Sequence, residues 1–246
     1  MEQSRRFPVT LQASAGPMRG VLIPLGIVTD WRRRPWANVG LIAVCVVAFW
    51  LRAPRADFAL WSRDPVPHAF VTHVFLHADP AHLIGNMMFL WAFGNAANGR
   101  AHPALYTGFF LLAGVLAGAA QLFATPDTRL PRGICQLGAS GSIMAVAGLC
   151  LVLFPFHKVR GLFLFRRYEI RTFPLVLFYA ALDFLYLTWR GHDGVGYVAH
   201  LAGFATGVAA GVVFLKAGWV HRDGQELLTL PAAKPVRKAS KLLHQP

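Results

Sequence analysis

The sequence predicts an all-α, polytopic membrane protein: a bundle of six transmembrane helices with a partly embedded first outer loop. Of the 246 residues, 55% are hydrophobic and only 14% are charged, and the mean hydropathy of +0.46 lies outside the usual range for a soluble domain. A helix needs about 20 apolar residues to cross a bilayer. Six apolar runs approach that length, at 37–52, 82–98, 104–124, 138–155, 173–189 and 197–217.

The lysines and arginines predict the orientation of these spans. Of the 24 basic residues, six fall on one side of the membrane and the other eighteen on the opposite side. The smaller group is Arg52, Arg55, Arg63, Arg129, Arg132 and Arg190. Because basic residues favour the cytoplasmic side, both termini are predicted to be cytoplasmic, and we expect a multi-pass protein of a bacterial cytoplasmic membrane.

Three regions follow from this arrangement. Residues 1–36 form a cytoplasmic N-terminal segment, residues 37–217 form the membrane domain, and residues 218–246 form a basic cytoplasmic tail. Within the first region, the apolar piece 21–28 is interrupted by Pro24 and is expected to lie at the surface. The net charge of +13 is attributed to topology and to contact with membrane lipids, and no nucleic acid partner is expected.

A candidate nucleophile stands at the head of the fourth run. The segment Gly138-Ala139-Ser140-Gly141 places a serine between small residues, which leaves its hydroxyl open to a substrate. Taken alone, the pattern is more typical of close packing between membrane helices.

The depth of other polar residues favours catalysis. With the N-terminus inside, the second, fourth and sixth spans all run inward, and each carries polar residues in its first turns: His82 and Asn86, then Ser140, then His200. Polar groups inside a membrane are costly. Their shared depth below the outer surface is therefore an indication of an active site.

The chemistry of these residues predicts their roles. His200 is the general base that activates Ser140, while Asn86, His82 and the Ser140 backbone N–H stabilise the oxyanion. The glycines that bring the helices together are Gly138, Gly141, Gly203 and Gly207. No cofactor or metal is expected.

A third catalytic member is not predicted. The carboxylates considered are Asp193, in the loop before the sixth span, and Asp183, in the middle of the fifth span. A two-residue mechanism is favoured, and Asp183 is assigned a structural hydrogen bond.

Residues 68–211 resemble the rhomboid intramembrane serine proteases. The resemblance rests on His77, the pair His82 and Asn86, the Gly138–Gly141 segment, and Ala199-His200-Leu201-Ala202-Gly203 with Gly207. It implies a Ser140–His200 dyad, an oxyanion site at Asn86 and His82, and cleavage of transmembrane protein substrates near the outer face. Two departures are His68-Ala69, where many relatives have Trp-Arg, and Met144, where some relatives place an aromatic against the catalytic histidine.

Three alternatives remain. His68, His73, His77 and His82 form a histidine cluster that could bind zinc, but their spacing is not distinctive and zinc would leave Ser140 and His200 without a role. A catalytically silent rhomboid-like protein that binds membrane clients would usually lack the serine or the histidine. A small transporter would show an internal repeat, which is not seen.

Overall fold

The computed structural model describes residues 23–30, 32–125, 132–163, 166–189 and 195–229, and it is mostly helical. The longer helices are α1 (Trp36–Trp50), α4 (Pro80–Phe89), α6 (Pro103–Ala124), α7 (Ser140–Leu153), α8 (Thr172–Trp189) and α9 (Tyr197–Ala217). The shorter helical segments are α2 (Arg55–Phe58), α3 (Ala69–Thr72), a 3-10 turn (His73–Phe75), a π-helix (Leu90–Gly94) and α5 (Asn95–Arg100). Of the predicted N-terminal segment and tail, residues 1–22, 31 and 230–246 lie outside this description.

Three of the described helices, α6, α8 and α9, are long and apolar enough to cross a membrane. Helices α1 and α7 are apolar but have only 15 and 14 residues. At 1.5 Å per residue, α7 is about 21 Å long, shorter than a hydrocarbon core of about 30 Å. The predicted second span is a continuous helical stretch in which the π-helix separates α4 from α5.

Helix α7 is the centre of the bundle. All of its residues from Gly141 to Leu153 are buried. Its main neighbour is α9, and the two helices meet backbone to backbone: a Cβ added at Gly203 would collide with the carbonyl oxygen of Gly141, and one added at Gly207 with that of Ala145. Small residues at both positions therefore set the distance between the helices.

A buried amide network ties α1 to the π-helix, α5 and α6. Asn38 donates through Nδ2 to the Leu90 carbonyl (3.0 Å) and to Asn95 Oδ1 (2.8 Å). The Asn38 Oδ1 accepts from the Tyr106 hydroxyl at 2.6 Å, and its backbone N–H donates to Asn98 Oδ1 at 3.2 Å. These bonds satisfy polar groups that would otherwise be costly inside an apolar bundle.

Replacing Tyr106 with Phe is expected to destabilise the protein by about 1–3 kcal/mol, because the buried Asn38 Oδ1 loses its donor. Thermal unfolding in detergent measures the change. Tyr168→Phe is the matched control, since the Tyr168 hydroxyl is buried without a hydrogen-bond partner among the described residues. Its loss should leave the unfolding temperature unchanged or raised, and equal shifts in both variants would contradict the prediction.

The all-α prediction omitted a three-stranded antiparallel sheet. Strand β1 (Ile23–Ile27) pairs with β4 (Lys158–Phe163), which pairs with β5 (Arg166–Arg171). A second, two-stranded pair joins β2 (Leu60–Trp61) to β3 (Cys135–Gln136). The segment 158–163 alternates exposed basic residues with buried small or apolar ones at its start, which is the period of a half-buried strand.

Residues 218–229 pack against the end of the bundle. Arg100, at the end of α5 and 4% exposed, forms ion pairs with Asp223 and with Glu226, the latter at 3.2 Å. The Leu227 N–H donates to the Val152 carbonyl at 2.9 Å. These contacts cover the ends of α5 and α7 that lie farthest from Ser140.

Candidate active site

Ser140 is the first residue of α7, and the backbone before it has a particular shape. Gly138 has a φ of +120°, which side-chain-bearing residues rarely adopt, and this turn starts the helix at Ser140 rather than at 138. The Gly138 N–H donates to the His73 carbonyl at 2.9 Å, so the turn is held by the segment after α3. The Ser140 backbone N–H is one of the unpaired donors of a helix start.

The contacts of His82, on helix α4, fix the tautomer of its ring. Asp79 caps the helix by accepting from the His82 N–H at 2.8 Å, with Pro80 in the first position. The His82 Nδ1 accepts from the Ala78 N–H at 3.3 Å. Because Nδ1 is the acceptor, the neutral ring carries its proton on Nε2, which makes Nε2 a donor.

Both side-chain donors of α4 face the turn before Ser140. A Cβ built on Gly138 would lie 2.9 Å from His82 Nε2 and 3.7 Å from Asn86 Nδ2. The Asn86 Nδ2 is buried and has no hydrogen-bond partner within the described ranges. An unpaired buried donor costs about 1–3 kcal/mol, so this amide is poised for an acceptor that binds beside the serine.

Helix α9 brings His200 to the same end of the bundle. His200 lies one turn before Gly203, and Gly203 packs on the carbonyl of Gly141, the residue after Ser140. His200 is also close enough to His82 to interact with it electrostatically. The structure therefore gathers the four polar residues singled out in the sequence from α4 and from the beginnings of α7 and α9.

Two further side chains hold His200. Asp183 of α8 places Oδ2 3.2 Å from His200 Nδ1, and the two side chains are only 16% and 15% exposed. The Tyr197 ring lies edge-on to the imidazole at 6.3 Å between centroids. Met144 is buried. The aromatic ring beside His200 is that of Tyr197, which lies on the same helix as His200.

Sequence reasoning missed Gln121 altogether. This residue lies near the end of α6, and its Oε1 accepts from the Ala199 N–H at 3.0 Å, which fixes the first turn of α9 beside His200. The signal was present in the sequence, because an amide near the end of a long apolar run is costly without such a duty.

The first loop is anchored through polar side chains although it lacks Trp-Arg at 68–69. Arg55 donates to the carbonyls of His77 (3.0 Å) and Ala78 (2.6 Å), just before α4. Thr72 donates to the Phe58 carbonyl at 2.7 Å, and His68 Nε2 lies 2.8 Å from the Asp57 carbonyl. These contacts join α2, α3 and the approach to the site.

The histidine cluster considered for zinc does not converge. His68 and His73 each contact a different backbone carbonyl, those of Asp57 and Ala69, while the His77 ring packs edge-on against His82 at 5.1 Å between centroids. In the part of the chain that the structure describes, no three His, Cys, Asp or Glu side chains form a group that could hold a metal ion.

Stability is expected to fall in acid because of His77. Burial, reinforced by the adjacent His82, lowers the pKa of the His77 imidazole to about 4. Its pKa in an unfolded chain is about 6.5, so between these values the unfolded chain binds a proton that the folded protein does not. Unfolding temperatures should drop as the pH falls from about 6.5 towards 4, with a maximal slope on the order of 1.4 kcal/mol per pH unit from this residue.

His77→Gln should weaken that dependence when thermal unfolding is followed across the same pH interval. His221→Gln, which changes an exposed histidine, is the control and should retain it. An unchanged pH profile in His77→Gln would contradict the prediction.

Comparison with known proteins bears on the chemistry of this arrangement. The Rhomboid domain family model matches residues 60–217, which include α4, α7 and α9. The chain belongs to the rhomboid family. It is an integral membrane protein, and the family recognised from the serine and histidine motifs is confirmed.

Three named rhomboid proteins are similar to this chain at low identity. Rhomboid protease GlpG of Salmonella paratyphi A (strain ATCC 9150 / SARB42) is 25% identical over 217 residues, covering 85% of this chain and 68% of the relative. The same values hold for Rhomboid protease GlpG of Salmonella typhi. RHOMBOID-like protein 12, mitochondrial, of Arabidopsis thaliana is 29% identical over 156 residues, which cover 58% of this chain and 45% of the relative.

Proposed function

We propose that this rhomboid-family protein is an intramembrane serine endopeptidase that cleaves transmembrane helices of membrane protein substrates near the outer face. The observation that carries the proposal is the meeting of a helix-starting serine on α7, a histidine near the start of α9 and an unpaired amide donor on α4. The similar Salmonella proteins are named as proteases.

The proposed reaction uses the residues in fixed roles. The Ser140 hydroxyl attacks the scissile carbonyl and gives its proton to His200 Nε2, because His200 Nδ1 faces Asp183. The oxyanion accepts hydrogen bonds from Asn86 Nδ2, from His82 Nε2–H and from the Ser140 N–H. His200 then protonates the leaving amine, and a water deprotonated by His200 hydrolyses the acyl-enzyme.

The site also sets a requirement on the substrate. An extended backbone must reach a serine that lies at the first turn of α7, so a substrate helix has to unwind locally. Small, helix-weakening residues such as glycine lower that cost by about 1 kcal/mol each relative to alanine. We therefore expect cleavage near such residues and no requirement for a cofactor.

The proposed topology has six membrane crossings with both termini in the cytoplasm. In this arrangement α1, the α4–α5 stretch and α7 are the crossings in addition to α6, α8 and α9. The excess of basic residues in the predicted cytoplasmic segments supports it. The start of α7 then lies below the outer surface of a bacterial cytoplasmic membrane, and the sheet of β1, β4 and β5 lies on the cytoplasmic side.

An active-site fluorophosphonate tests the proposal. The purified wild type should be labelled and should cleave a transmembrane reporter, whereas Ser140→Ala should do neither. Ser142→Ala is the matched control, because Ser142 lies two residues further along α7, is fully buried and should not react. Equal labelling of wild type and Ser140→Ala would reject Ser140 as the nucleophile. A folded wild type that cleaves no reporter would favour a protein that only binds membrane clients.

A further inference from the structure

We infer that Asp183 is a positioning residue for the general base, so that the site works as a chain of three side chains, Ser140, His200 and Asp183. The inference rests on the proposed protease function. It changes the role of Asp183, which the sequence assigned to a structural hydrogen bond within the bundle.

The contact is specific. Asp183 Oδ2 lies 3.2 Å from His200 Nδ1, and among the described residues His200 is the only hydrogen-bond or ion-pair partner of this carboxylate. Asp183 lies beyond the middle of α8, an otherwise apolar helix, and its side chain is 16% exposed. A carboxylate in an apolar span is costly, and the cost is offset only by a partner that donates to it.

The geometry determines which ring nitrogen serves as base. With Asp183 accepting from Nδ1–H, the neutral imidazole has its lone pair on Nε2. That is the tautomer needed to take a proton from Ser140. When His200 becomes an imidazolium during the attack, the same carboxylate stabilises the positive charge, and it does so strongly because little water reaches the pair.

The other neighbours of His200 cannot take over this duty. His82 of α4 also interacts electrostatically with His200, and it offers no negative charge. Gln121 of α6 is committed to the Ala199 N–H, and Tyr197 presents a ring edge. The carboxylate of Asp183 is therefore the group that orients the base in the described part of the site.

The test separates orientation of the base from stability of the fold. Asp183→Asn, Asp183→Glu and Asp183→Ala are compared with wild type for kcat and KM on a transmembrane reporter. Rates are expressed per molecule of folded enzyme, with the folded fraction taken from the monodisperse peak in gel filtration and from thermal unfolding. Thr188→Ala is the control on the same helix, since the Thr188 hydroxyl donates only within α8, to the Leu185 carbonyl at 2.8 Å.

We expect Asp183→Asn and Asp183→Ala to lower kcat by about 10²- to 10⁴-fold with KM nearly unchanged. Asp183→Glu should recover part of the loss, and Thr188→Ala should match wild type. The first-order rate of fluorophosphonate labelling at saturating probe should fall in the same order.

One result would overturn the inference: a wild-type kcat per folded enzyme in Asp183→Asn. Any loss of total activity would then follow the folded fraction, which would show a purely structural contact. This result does not bear on the protease function itself, which fails only if wild type and Ser140→Ala behave alike.

Discussion

Gly207→Ala is expected to destabilise the protein, although alanine is the better helix former. The added Cβ collides with the carbonyl oxygen of Ala145, and a backbone atom inside α7 cannot move aside as a flexible side chain can. Overpacking of this kind costs about 1–3 kcal/mol, or more where the contact is to backbone. Because α7 and α9 carry Ser140 and His200, their separation should also lower activity.

Gly108→Ala provides the matched control for this substitution. Gly108 lies within α6, and a Cβ built there meets nothing within 4 Å. The variant should be stabilised by up to about 1 kcal/mol through helix propensity alone. Both variants are measured by thermal unfolding and by reporter cleavage. Shifts of the unfolding temperature in the same direction in the two variants would show that the packing of α7 against α9 does not require glycine at 207.

Asn86→Ala is expected to lower kcat by about 10²- to 10³-fold with little effect on KM. The Asn86 Nδ2 has no partner in the described residues and faces the turn before Ser140, so its bond forms only when an oxyanion develops. Because nothing in the free protein depends on that donor, the unfolding temperature should stay the same or rise.

Asn95→Ala separates catalysis from stability in this comparison. Asn95 is also a buried amide, but its Oδ1 accepts from Asn38 at 2.8 Å in the network between α1 and α5. Its loss should lower the unfolding temperature and leave kcat per folded molecule unchanged. A wild-type kcat in Asn86→Ala would refute the oxyanion role of Asn86. So would a loss of activity in Asn86→Ala that is explained by a lower unfolding temperature.

Much of the helical framework was predictable because the apolar runs are long and are interrupted by Pro, Gly and basic residues. Each of the six predicted runs coincides with a helix or with the continuous stretch from α4 to α5. The fourth run begins at 138, whereas α7 begins at Ser140, after the turn in which Gly138 has a φ of +120°. The sheet was not predicted, because β1 and β4 lie more than 130 residues apart and their pairing is not a local property.

The prediction about Asp183 illustrates the limit of reasoning along the chain. The apolar helices of this bundle are hydrophobic all round, so the position of a residue along the helix is readable but its direction is not. Whether Asp183 faces lipid, α7 or α9 depends on the rotation of α8, which follows from packing. The same holds for Gln121, whose partner in α9 is 78 residues away.

The sequence by itself determined the class of the protein and its family, and it predicted a shared depth for Ser140, His200, Asn86 and His82, because hydropathy, basic residues and motif spacing act along the chain. Only the tertiary structure decided which atoms face one another: the proton on His82 Nε2, the unpaired Asn86 amide, and Asp183 behind His200. These facts depend on backbone contact between helices far apart in sequence. Glycines at 203 and 207 permit that contact, and the rotation of each helix completes it.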